Sequence, residues 1–144
     1  MADFSGSFAG HARVLTTVAV GDVSGHEFQT VEISGPVSST DSNWNGASVG
    51  YWGFADLTLG SGTQKGYFVN FHSDGSRDWG TFEASVSTTP GGTTTEGSWR
   101  FVNGTGKFKG ITGQGTFTTR LTSPMDVECE WKGRYQFAAA AQAA

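Results

Sequence analysis

The stretch Met125-Asp126-Val127-Glu128-Cys129-Glu130-Trp131-Lys132-Gly133-Arg134-Tyr135-Gln136-Phe137 decides the fold class. Its odd positions are apolar or small, and every even one is charged or an amide. Side chains alternate across a strand with period two, so this is a strand with one buried and one wet face. A helix would smear the same charges around its circumference. Outward from it, segments 11–20, 27–34, 48–59, 64–72, 77–87, 96–102 and 115–121 are rich in β-branched and aromatic residues. Clusters of Gly, Ser, Asp and Pro separate them, which is the pattern of strands and turns. Phe4–Phe8 reads as a short lead-in strand, and Pro36–Gly46 as a longer polar connection. No segment has helical periodicity.

A chain of 144 residues makes one domain, here 1–137, followed by an Ala-rich tail at 138–144. Twenty-two glycines suit tight turns, and five Trp, eleven Phe and three Tyr supply bulky interior material. A net charge of -4 argues against nucleic acid, which calls for clustered Lys and Arg. The one cysteine, Cys129, forms no internal disulfide and suits a reducing, cytoplasmic setting. The start shows no signal-peptide pattern, and no apolar run reaches the roughly 20 residues that span a bilayer, so no membrane partner is expected.

Register then fixes which residues share a face. Closing the turn at 21–25 pairs Val18 with Gln29 and Val14 with Ile33. Setting Leu59 opposite Gln64 brings Asp56 to Tyr67, Phe54 to Val69 and Trp52 to Phe71. Setting His72 opposite Arg77 joins that face to Gly80, Phe82 and Ala84. Pairing Ser87 with Glu96 adds Trp99 and Phe101, and pairing Leu121 with Met125 sets Phe117 beside Cys129. Consecutive antiparallel strands with one apolar face bury it by curling closed. The expectation is a single closed antiparallel barrel of about eight strands, whose interior holds side chains or one small ligand.

The run Gly104-Thr105-Gly106-Lys107-Phe108-Lys109-Gly110-Ile111-Thr112-Gly113-Gln114-Gly115, with Gly50–Asp56 and Asp78–Phe82, resembles the allene oxide cyclase-like barrels. That group includes plant cyclases, dirigent proteins and bacterial members. The resemblance covers roughly Ala47 to Phe137. It implies a hydrophobic lumen that cyclises or orients small apolar molecules, and association into homo-oligomers. It sets Trp52 where the cyclases carry a lumen cysteine and Asp56 where they carry a glutamate. The cyclase reaction itself is not carried over.

Asp56 and Tyr67 are the candidate catalytic pair. An acid facing a dry lumen favours its neutral form and can exchange a proton, while the Tyr hydroxyl orients it or holds a substrate oxygen. The alternative is a wetted Asp56 at the barrel rim. Trp52, Phe54, Phe71, Phe82, Trp99, Phe101, Phe117 and Trp131 form the candidate lining, with Cys129 as lining at most. They either wall a pocket for a small apolar molecule or fill the interior completely. His11, His26 and His72 show no metal-ligand spacing, and no cofactor loop is present. His72 with Asp74 and Asp78 reads as a solvated hairpin end. Tyr51, Leu57, Phe68 and Trp79 are assigned to the outer face as a subunit contact. The functional expectation is a small-ligand-binding barrel, acting as a cofactor-free cyclase, isomerase or lyase. The alternatives are a non-catalytic carrier and a structural oligomeric barrel with a filled core.

Overall fold

The computed structural model describes residues 1–138, so the Ala-rich tail lies outside the described residues from position 139. Eight strands follow one another: β1 (Ala2–Ala19), β2 (His26–Ser39), β3 (Ser48–Thr58), β4 (Ser61–Phe71), β5 (Arg77–Thr89), β6 (Gly92–Gly104), β7 (Ile111–Leu121) and β8 (Asp126–Phe137). Each pairs antiparallel with the next, and β1 pairs with β8 to close the barrel. The only helical turn among the described residues is Gly106–Phe108, and no helix there is long and apolar enough to cross a membrane. The separate lead-in strand expected at Phe4–Phe8 is the first part of β1. A bulge between Val14 and Thr16 lets that strand run on as an arm. The β1–β2 register is Val14 to Val31 and Val18 to Phe28, not the pairing expected from the turn.

The β5–β6 and β7–β8 pairings are each two residues from expectation, with Ser85 rather than Ser87 opposite Glu96 and Trp131 rather than Cys129 opposite Phe117, which leaves their faces unchanged. The β3–β4 and β4–β5 turns also differ, and the second of these inverts a face. β3 and β4 are joined by a two-residue turn, Leu59-Gly60, with both residues at positive φ, so Thr58 pairs with Ser61. Asp56 therefore faces Thr63, and Tyr67 faces Trp52; the expected Asp56–Tyr67 juxtaposition does not form. The β4–β5 loop then takes one residue more than expected. His72 leaves the strand, its amide donates to the Ser76 carbonyl, and Phe71 rather than His72 pairs with Arg77. A one-residue slip sends every side chain of a strand to the other face. Phe82 is joined across the sheet by Gly66 and neighboured by Phe68 and Gln64, not by Tyr67 and Val69.

The inner face contains Phe4 and Phe8 of β1, Ile33 and Val37 of β2, and Val49, Tyr51 and Ala55 of β3. Phe82, Trp99, Phe101, Ile111, Val127 and Cys129 continue it around the barrel. A layer of glycine lies among these rings. A Cβ on Gly66 would land on the Trp52 carbonyl oxygen, on Gly80 on that of Arg100, and on Gly115 on that of Lys132. Trp99 occupies the space beside Gly115 and Gly133, Trp131 that beside Gly6, and Phe68 that beside Gly80. Missing side chains let neighbouring strands close in while the large rings fill the centre.

Candidate functional site

The interior is occupied by its own rings. Phe4 packs against Trp44 at 4.6 Å and Trp131 at 4.9 Å between centroids, Trp99 against Phe101 at 5.0 Å, and Tyr51 against Phe82 at 5.3 Å. The void left between them is about 80 Å³. An apolar cavity that takes up benzene measures about 150 Å³, and drug-sized sites measure about 300–1,000 Å³. Phe82, Trp99, Phe101, Phe117, Cys129 and Trp131 line this void as expected, with Phe4, Phe8, Tyr51 and Phe68 added. Burial pushes the Cys129 thiol up to about 11 and the Tyr51 phenol well above its ordinary value. Thr119 Oγ1, on the strand beside Cys129, is buried with no hydrogen-bond partner among the described residues. These groups form a small polar spot in an otherwise apolar interior.

The other sequence candidates are outside. Trp52 is 37% exposed, Phe54 42%, Phe71 44% and Tyr67 67%, because the β4–β5 slip turns their face to solvent. Conversely, Tyr51 and Phe68, assigned to the outer wall, are core, while Trp79 pairs with Val69 on the outer face. Asp56 is exposed as well, and its partner is His26. The His26 ring donates from Nδ1 to Asp22 Oδ1 and from Nε2 to Asp56 Oδ1, each at 2.6 Å. An imidazole that donates from both nitrogens carries a proton on each. These bonds, to Asp22 first and then Asp56, raise the His26 pKa, and the bond from His26 lowers that of Asp22. The cluster clips the β1–β2 turn to β3. Among the described residues, no group of three or more His, Cys, Asp or Glu is placed to hold a metal.

The far end of the barrel is plugged. Trp44, from the polar connection between β2 and β3, is buried against Phe101 and Phe108, and its Nε1 donates to Asp78 Oδ2 at 3.0 Å. Asn70 Nδ2 donates to Asp78 Oδ1 at 2.8 Å, and His72 Nε2 to Oδ2 at 2.7 Å. Asp78 is wholly buried and the His72 side chain is only 4% exposed, so this hairpin end is not solvated as expected. Trp44 and Asn70 border the void of about 80 Å³, while Asp78 and His72 do not line it. The network is a fastening.

A second, broader concavity among the described residues is on the outside of the barrel. A groove of about 1330 Å³ crosses the outer faces of β3 to β8 and β1. Its walls are two cross-strand rows. One runs Tyr67, Thr81, Arg100, Gln114, Arg134 and Asp3; the other runs Lys65, Glu83, Ser98, Thr116 and Lys132. They flank the inner glycine layer, of which Gly66, Gly115 and Gly133 border the groove as well. Arg134 Nε donates to Asp3 Oδ1 at 2.8 Å, whereas Lys65, Arg100 and Lys132 have no carboxylate within ion-pair reach among the described residues. Sequence reasoning could not find this groove, because it places Tyr67 inside. Compared with models of protein families, with curated proteins and with solved structures, the chain matches none.

Proposed function

We propose that this chain is a non-catalytic interaction barrel, whose filled interior supports an outer surface that does the binding. The observation that carries this reading is the contrast between an interior void of about 80 Å³ and an outer groove of about 1330 Å³. A lumen enzyme needs room for its substrate beside a proton-transfer group, and Asp56 and Tyr67 both face solvent. On this reading the architecture of the allene oxide cyclase-like group is retained and its lumen is closed by large rings. Titrating the protein with a panel of apolar compounds, followed by tryptophan fluorescence, tests it. Trp44, Trp99 and Trp131 surround the void, so a lumen ligand would change their emission. No saturable change is expected. A saturable change, with or without turnover, overturns the reading in favour of a lumen carrier or enzyme.

A second reading, association of like copies, is favoured by one feature. Among the described residues, β1 has no ladder partner on its β8 side beyond His11, and its arm exposes Val14, Leu15 and Val18. The outer face beside it carries Phe28 stacked on Phe54 at 5.2 Å. An unprotected apolar edge beside an aromatic wall is a surface that another chain covers. Light scattering should give the mass of an oligomer that Leu15→Lys reduces to one chain; a wild-type monomer at high concentration contradicts this.

A further inference from the structure

We propose that the outer groove binds an extended oligosaccharide carrying carboxylate groups. This deepens the exterior-binding reading above and rests on it. The groove gathers four cationic side chains, Lys65, Arg100, Lys132 and Arg134, against two acidic ones, Asp3 and Glu83, on a chain whose net charge is -4. Positive charge concentrated in a concavity of an otherwise acidic protein attracts anions to that place. Arg134 is already paired with Asp3, which leaves Arg100, Lys65 and Lys132 to meet ligand carboxylates. Arg presents a fork of donors matched to a carboxylate, and Lys a mobile point charge.

The rest of the lining decides the class of anion. Gln114 and the Thr and Ser hydroxyls both donate and accept, as does the Tyr67 hydroxyl, and this suits a ligand made of hydroxyl groups. Glu83 accepts hydrogen bonds from sugar hydroxyls, donors that a deoxyribose phosphodiester chain lacks between its ends. Tyr67, at 67% exposed, offers a ring face on which a pyranose can lie, with Arg100 two strands away in the same row. Neighbouring strands sit about 4.8 Å apart, so the row from Tyr67 to Arg134 follows the wall of the closed barrel for four steps, an arc of roughly 19 Å. That step is close to the repeat of one sugar in an extended glycan. A glycan that bends along this wall meets a donor or acceptor at each step.

Isothermal titration calorimetry with a hexamer of 1,4-linked galacturonic acid tests the proposal, with cellohexaose, polyglutamate and oligo-deoxythymidine as comparison ligands. The uronate hexamer is expected to bind, more weakly as salt rises, and more tightly than cellohexaose. Tyr67→Ala and Arg100→Ala should each weaken it at least tenfold, while Arg120→Ala, outside the groove, leaves it unchanged. Both groove residues are exposed, and circular dichroism shows whether each variant folds. Absence of uronate binding, or wild-type affinity in both variants, overturns the proposal. Equal affinity for cellohexaose overturns the carboxylate requirement, and tighter binding of polyglutamate or oligo-deoxythymidine overturns the glycan class. The apolar panel, run on the same preparation, separates the two levels. A saturable response there overturns the exterior reading itself; silence in both arms overturns the glycan alone.

Discussion

At the scale of single residues, Asp78 is the hub of the buried polar network. Its carboxyl accepts from Trp44, Asn70 and His72 in a region closed to water. Asp78→Ala strands those three donors, and unmade buried bonds cost about 1–3 kcal/mol each. A loss of about 3 kcal/mol or more is expected in urea unfolding, and a loss below about 1 kcal/mol would remove the network from the account. His26 makes a different contribution, because its double donation depends on pH. The fold raises its pKa above the ordinary 6.5, so this stabilisation is full below about pH 6.5 and is lost as pH rises through the folded value. The Asp22 share runs the other way: its pKa is lowered from 3.8, so that part is present above 3.8 and fades as pH falls through the folded value. The Tm gap between wild type and His26→Ala should thus be wide at pH 5.5 and narrower at pH 9. Equal gaps at both would show that the clip works without the proton. Cys129 should react with a thiol reagent only at the rate of unfolding, since burial holds its thiol up to about 11. Rapid labelling of native protein would show an accessible interior.

At the scale of elements, the inner glycines set the shape that strands alone would not. Gly115→Ala drives a methyl into the Lys132 carbonyl and the Trp99 ring, a conflict that nearby rings cannot relieve. A loss of about 2 kcal/mol is expected, against less than about 0.5 kcal/mol for Gly91→Ala, which meets only the Thr89 hydroxyl at 3.5 Å. Equal losses would mean that the strands can spread apart. The strands themselves were legible because alternation is a local property: Met125–Phe137 announces β8 and the inward placement of Cys129 and Trp131. The inward positions of Phe82, Trp99, Phe101 and Phe117 followed, since errors of two residues in pairing leave faces unchanged. The face of β3 and β4 did not follow. It depends on whether His72 belongs to the strand or to the loop, and Asp78, six residues further on, settles that by binding the His72 ring. Trp44 was hidden similarly, in a polar stretch whose one large ring is its only core residue of that size. The candidate site was misplaced for this reason. A contact across a loop reversed two strands and moved Asp56, Tyr67 and Trp52 from lumen to surface.

At the scale of the whole molecule, packing and binding are divided, on the proposed reading, between the two sides of one closed sheet. The inside is closed by aromatic bulk, with Trp44 and Phe108 sealing one end. The outside carries the groove, the aromatic wall and the free arm of β1. The glycine layer that admits Trp99 and Trp131 to the centre also borders the groove, through Gly66, Gly115 and Gly133. The most direct test is an amide and indole NMR titration with apolar ligands of graded size, from benzene to a sesquiterpene. The account predicts no saturable shift at Tyr51, Phe68, Trp99 or Trp131 for any of them. Saturable shifts confined to those residues would contradict it and return the function to the interior.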